Sequence, residues 1–191
     1  MKYAKMLGLL AVAAAALMAF AATASATLTS PTGTVLNGGA VIHAENEKTH
    51  VTLDPPSLPA ISCSSTVEGT VAAAGGTKGN IDVLNFTGCT EDWHVTTVTA
   101  GELEVEADGI SNTYNGTVYS KGATVEATRF GITCRYATAT TTKVGSFLGG
   151  NPGTMHIEAN IPFHSGSFLC GSGTTAWEGD YVTTASLYVD G

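Results

Sequence analysis

"ISCSSTVEGTV", Ile61–Val71, repeats with a period of two: Ile61, Cys63, Val67 and Val71 take odd positions, and Ser, Thr and Glu fill the even ones. Successive side chains of a strand point to opposite faces, so this pattern predicts a strand with one half-apolar face. The same alternation recurs in "AVIHAE" (40–45), "HVTLD" (50–54), "NIDVLNF" (80–86), "ELEVEAD" (102–108), "TVYS" (117–120) and "ATVEA" (123–127). It continues in "ITCRYATAT" (132–140), "TMHIEA" (154–159), "YVTTA" (181–185) and "SLYVD" (186–190). Helical periodicity is absent after Ala26. Pro55-Pro56, Gly75-Gly76, Asp108-Gly109, Asn115-Gly116 and "GGNPG" (149–153) punctuate the runs with turn-forming residues. About ten to twelve short strands are predicted, an all-β antiparallel β-sandwich or barrel.

The start of the chain is of a different kind. Lys2 and Lys5 precede an alanine-rich apolar run that ends in "TASAT", with Ala24 and Ala26 as small residues at a cleavage site. Residues 1–26 read as a helical secretory signal peptide, and 27–191 as a single secreted domain. No cysteine near that site could accept a lipid, and no later apolar run reaches the roughly 18 residues of a spanning helix. The expected location is extracellular or the cell surface, with no membrane association after cleavage. After residue 26 there remain six basic and sixteen acidic side chains, a net charge of −10, which argues against a nucleic-acid or anionic-membrane partner.

Four cysteines, Cys63, Cys89, Cys134 and Cys170, fall in the exported part, and an even count there predicts two disulfides. Their spacing matches no zinc pattern. Four cysteines allow three connectivities, and loop entropy hardly separates them. An internal echo favours one. "ISC" (61–63), Gly75-Gly76, Ile81, Phe86, Cys89, Trp93 and "VTT" (95–97) are answered in order by "ITC" (132–134), Gly149-Gly150, Ile157, Phe163, Cys170, Trp177 and "VTT" (182–184). The halves, 61–98 and 132–184, then close locally as Cys63–Cys89 and Cys134–Cys170, with Trp93 and Trp177 packed near their bridges. Glu91-Asp92 beside Cys89 would oppose thiolate formation, so these cysteines are expected to act as clamps.

Sites of chemistry are sparse. There is no GxSxG, HExxH, SxxK or phosphate-cradling loop. "HSGSF" (164–168) sets His164 beside serines without a neighbouring acid. His43, His50, His94, His156 and His164 are scattered singly. Glu102, Glu104 and Glu106 share one strand face, expected to be solvated; with the oxygen-rich 108–116 loop it is the one candidate cation surface. Of the aromatics Tyr114, Tyr119, Tyr136, Phe147 and Phe168, alternation places about half in the core. No catalytic, cofactor-binding or metal-ligating residue is predicted, and the chain is not expected to be an enzyme.

"GITCRY" (131–136), "NPGTMHIEANIPF" (151–163), "GSFLC" (166–170) and "GDYVTTASLYV" (179–189) together resemble small secreted two-disulfide bacterial proteins of unassigned function. More faintly, "ISCSSTVEGTV" leading to "FTGC" (86–89) resembles secreted pseudomonad proteins described as alkane-oxidation activators and tied to biofilm. The resemblance implies an exported β protein associated with matrix or surface, and nothing about alkanes. The expected function is non-catalytic: protein interaction or self-assembly with an unknown protein or matrix partner. The alternative is an extracellular small-ligand or carbohydrate binding module.

Overall fold

The computed structural model describes residues 27–30, 33–46, 50–110 and 113–191; the expected signal peptide lies outside them. Fourteen strands are formed, with two 3-10 turns and no α-helix among the described residues. They are β1 (Thr27–Thr29), β2 (Val41–Asn46), β3 (Val51–Asp54), β4 (Ile61–Val71), β5 (Lys78–Thr87), β6 (His94–Thr99) and β7 (Glu102–Ala107). The second half adds β8 (Gly116–Lys121), β9 (Thr124–Arg129), β10 (Ile132–Ala137), β11 (Thr142–Leu148), β12 (Thr154–Gly166), β13 (Thr174–Thr183) and β14 (Tyr188–Asp190). The fold is all-β, as expected, but the strands are not uniformly short: β4, β5, β12 and β13 each run through ten or more residues.

Those four long strands decide the architecture. The N-terminal part of β4 pairs with β3 and its C-terminal part with β2; β13 likewise meets β3 and then β2. β12 pairs first with β11, then with β10. The short strands are therefore halves of staves, β2 with β3, β6 with β7, β8 with β9 and β10 with β11. Eight staves follow one another in chain order around an up-and-down barrel. In the upper half the ring β2-β4-β5-β7-β8-β11-β12-β13 closes on itself through hydrogen-bonded neighbours. A closed ring replaces the two facing sheets of a sandwich. The lower half comprises β3, β6, β9 and β10 with the lower ends of the long strands.

The echo read from the sequence is the visible part of this order. The staves β2/β3, β4, β5 and β6/β7 correspond to β8/β9, β10/β11, β12 and β13. Each set carries one disulfide, Cys63–Cys89 and Cys134–Cys170, and both lie at the lower end. The expected packing of Trp177 beside its bridge does not hold. Trp177 faces Leu53 and Ala159, well along β12 from Gly166, which pairs with Cys134. Trp93 does follow Cys89 through a single turn and is buried.

Local chemistry explains the breaks. Pro162 sits inside β12, yet its ring faces an interval where β11 has ended and β10 has not begun pairing, so no ladder bond is lost. Gly101, between β6 and β7, has φ +76 and presses on the β8/β9 break; a Cβ there would collide with the Lys121 carbonyl and the Ala123 nitrogen. Thr138 ties the two neighbouring breaks together, its hydroxyl bonded to Ser120 at 3.0 Å and accepting from the Ala123 N–H at 3.1 Å.

Inward positions are mostly apolar, and every charged strand residue faces outward or is exposed. Val51, Ile61, Val118, Val144, Ile157 and Tyr181 are fully buried, while Glu68, Glu102, Glu158, Glu178 and Asp180 stand on the outer faces of their strands. This is the reverse of a barrel whose outside meets lipid. β1 and β14 pair with each other as a separate strap, and Leu28 and Leu187 from its strands and flank bury themselves against the upper core. Beneath it remains an apolar space of about 90 Å³.

Candidate functional site

The lower tip gathers the unusual backbone of this chain. Among the described residues, four non-glycine residues adopt left-handed φ angles, and three of them, Glu91, Asp92 and Phe130, are at this end. Bulky residues rarely take that conformation, because Cβ crowds the carbonyl, and such strain costs on the order of 1 kcal/mol or more. Phe130 and Gly131 form the two-residue turn between β9 and β10, both with positive φ, a geometry that Asn-Gly ordinarily supplies. Burial does not offset the strain, for Phe130 is 82% exposed.

Arg129 organises the tip. Its guanidinium lies 4.9 Å from the centre of the Phe130 ring and 5.9 Å from that of buried Trp93, and its Nη1 donates to Glu91 Oε2 at 2.8 Å. One cation thus links two of the left-handed residues and stiffens the ring that solvent sees. Beside it, the turn of Phe168–Cys170 is fastened to β10 by the Ser167 N–H to Thr133 carbonyl bond and by the Cys134–Cys170 bridge. That turn leaves Phe168 89% exposed and Leu169 exposed too.

Between β5 and β6 the lower ring is open. β5 pairs with β4 and β7, β6 with β9, and no strand ladder joins the two. The seam is a cleft of about 630 Å³ lined by residues such as Asp82, Leu84, Phe86, Trp93 and Thr97. The Thr97 hydroxyl donates to the Leu84 carbonyl across it, and the Cys63–Cys89 bridge closes its foot. Unpaired strand edges invite pairing with other chains; here the Thr97–Leu84 bond crosses between the edges, and the Cys63–Cys89 bridge fastens the β5–β6 connection to β4. On the barrel's inner side Leu84 and Phe86 also wall a space of about 20 Å³ shared with Tyr136 and Trp177. Tyr136 Oη and Trp177 Nε1 are buried without a protein partner. The space has room for about one water molecule, which would accept from both.

Of the five histidines, the structure brings one into a row with chemistry. Ser146, His156 and Asp180 stand opposite one another on β11, β12 and β13. His156 Nδ1 is 2.6 Å from Asp180 Oδ1, and its Nε2 is 3.8 Å from Glu158 rather than bonded to Ser146. The row lies on the open outer face, not in a cleft. The hydrogen bond to Asp180 raises the His156 pKa; desolvation opposes this, and the charges of Asp180, Glu158 and Glu178 add to it. A raised folded-state pKa makes the pair stabilising below about pH 6.5, with the contribution fading as pH rises through the shifted value. Because the pair is half exposed, H156Q is expected to cost a few tenths to about 1 kcal/mol at pH 5. By pH 9 the cost should shrink. Urea unfolding at the two pH values checks this, and a cost that grows with pH contradicts it.

The other predicted residues stay apart. His43 is 3.7 Å from Glu68, and His164 is 3.2 Å from Ser165. Glu102, Glu104 and Glu106 line the outer side of β7, where Glu104 pairs with Lys78 at 3.3 Å. In the following loop, the Asp108 carboxylate is occupied by the Ile110 N–H and the Thr113 hydroxyl. No group of metal-ligating side chains occurs among the described residues. Tyr136 and Phe147 are core residues, while Tyr114 and Phe168 are exposed. Phe130 is not among the aromatics singled out from the sequence. Its signal was the pair Phe130-Gly131 set between two alternating runs, the length of a tight hairpin turn.

No protein-family model matches the chain, and no curated protein or solved structure is similar to it. Two disulfides point to an oxidising, extracellular-type environment, and no helix among the described residues is long and apolar enough to cross a membrane.

Proposed function

We propose that this chain is a secreted, non-catalytic β-barrel that acts by protein association through its lower tip, in the simplest case with a second copy of itself. The observation that carries the reading is Phe130, an aromatic ring in strained backbone, held by Arg129 and left in solvent at the same end of the barrel as exposed Phe168. Strain at an exposed residue that gains no burial points to a use outside the fold. Charge fits a two-fold contact. The exported chain is strongly acidic, yet two of its six cations, Arg129 and Arg135, lie on β9 and β10, paired with Glu91 and Glu126 respectively. Each copy therefore offers both signs around an apolar centre, as a self-complementary patch requires.

The test is the oligomeric state. Sedimentation velocity of the secreted protein at rising concentration is expected to show dimers or larger species, and the variant F130N/F168S should remain monomeric. Phe130→Asn supplies the favoured Asn-Gly turn and gives up the Arg129 contact, so stability should be unchanged or raised by up to about 1 kcal/mol. Loss of association then cannot be ascribed to unfolding. A wild-type protein that is monomeric at every concentration overturns self-association, and a destabilised Phe130→Asn overturns the strain argument.

A further inference from the structure

At the opposite end of the barrel, the upper core keeps the apolar space under the strap, and its chemistry is specific. Ile42, Val67, Ile81, Leu103, Phe147 and Met155 line it, with Leu28 and Leu187 closing it from the strap side. Protein interiors contain few voids larger than a water molecule, and about 90 Å³ is several times that. Gly69 and Gly79 fall at the wall on β4 and β5, where a Cβ would press on the Asn80 and Thr70 carbonyls of the facing strand.

Water is a poor occupant. A buried water needs two to four polar partners. Thr70, Thr77, Asn80 and Thr183 belong to the wall, yet the surface facing the space is almost wholly apolar, and the Thr183 hydroxyl already donates to the Ala185 carbonyl at 2.6 Å and accepts from the Gly153 N–H at 2.9 Å. The buried side-chain polar atoms that lack a partner, on Trp93, Arg129, Tyr136 and Trp177, line no part of this space. No charged side chain lines it either. A space with so apolar a wall favours uncharged, apolar matter over water.

The closure is hydrogen-bonded to the barrel more sparsely than the ring beneath it. β1 and β14 are three residues each and pair as strands only with one another. Isolated bonds join the strap to the barrel, among them those between Gly150 and Leu187 and the Val189 N–H to the Tyr114 carbonyl. Elements with few hydrogen bonds to the body of a fold open at far lower cost than the ring beneath them. Met155, unbranched and polarisable, lets the wall adapt to an occupant.

We propose that the upper half of the barrel is a binding site for a small, uncharged apolar molecule of about four to six non-hydrogen atoms, admitted when the β1–β14 strap lifts. The size follows from the space, which is smaller than the roughly 150 Å³ cavity that takes benzene. The site stands independently of the lower tip.

Two probes test it, xenon and n-pentane. Crystals pressurised with xenon are expected to show the gas between Val67, Ile81 and Met155. In solution, n-pentane is expected to shift the Met155 and Leu103 methyl resonances saturably with a Kd of about 0.1 mM or tighter, within the reach of five well-buried atoms. Ala44→Leu, which fills the space from β2, should remain folded, exclude xenon and weaken pentane binding at least about tenfold; Val67→Leu serves if the first variant does not fold. Ordered water in the wild-type space, or no saturable binding of either probe, overturns the proposal. Pentane binding that is unchanged in a folded, filled variant overturns it as well.

Discussion

Replacing Cys134 and Cys170 together by alanine is expected to destabilise the protein by about 4 kcal/mol. The bridge spans 36 residues, and closing a loop of that length removes roughly 3.8 kcal/mol of entropy from the unfolded chain. Both sulfurs are fully buried, so the substitution also leaves unfilled space between β10 and the turn after β12. A domain of this size has about 5–15 kcal/mol in total, so the variant should populate unfolded chains measurably at 37 °C. The Cys63–Cys89 pair spans 26 residues and should cost about 3.5 kcal/mol by the same reasoning. The two losses should nevertheless look different in hydrogen exchange. The first bridge closes the foot of the seam where β5 and β6 share no ladder, so its removal should speed exchange in the lower part of β5 and in β6 beyond the global change. Removal of the second bridge should raise exchange through the barrel uniformly. Urea unfolding of both double variants gives the magnitudes, and peptide mapping under non-reducing conditions fixes the pairing. A cost below about 1 kcal/mol for the 134–170 pair would mean that the hydrogen-bonded ring alone holds this end.

How much of this was legible in the sequence depends on the range of the interaction concerned. Period-two alternation is local, and it marked β4, β5, β7 and the start of β12 because each has one face in the core. It did not mark β11, where a bulge at Val144 breaks the alternation, nor the N-terminal part of β13, whose inward places include Trp177 and Gly179 beside polar neighbours. Closure was beyond reach. Whether eight staves form a ring or two facing sheets turns on the pairing of β13 with β2 and β3, residues more than a hundred positions apart. The echo of "ISC" and "ITC" survived because both copies begin a stave beside a buried cysteine, which is why it gave the right bridges. It misled for Trp177, since the second repeat replaces the broken stave β6/β7 by the continuous β13. The tip was the least legible feature. An apolar residue in a turn reads like one more strand position until its backbone angle and exposure are known, and Phe130 has both against it.

The centre of the barrel should be as sensitive as its staples, and Tyr181 is the residue to change. It lies in β13 between Met155 of β12 and Asn46 of β2, is fully buried, and donates its hydroxyl proton to Ser65 Oγ at 2.9 Å. Ser65 in turn donates its backbone N–H to Asn46 Oδ1 at 2.5 Å, so the phenol joins three staves where β2 gives way to β3. Burial pushes its pKa well up against the smaller opposing effect of the Ser65 bond, and the ring stays protonated, a donor, throughout the stable pH range. Tyr181→Ala is expected to cost about 3–5 kcal/mol, the loss for deleting a buried aromatic ring whose surroundings relax only in part. Tyr181→Phe keeps the ring and removes the bond, and should cost about 1–2 kcal/mol. Ser65→Ala should cost a similar amount, because it leaves the phenol hydroxyl buried without its acceptor. The double variant Y181F/S65A should then cost less than the two single changes summed, by at least about 0.5 kcal/mol, since neither polar group remains to be left unpaired. Guanidinium unfolding of the four proteins completes the cycle. Strict additivity would show that hydroxyl and serine do not act as a unit, and the packing of the ring would remain as the sole contribution of Tyr181.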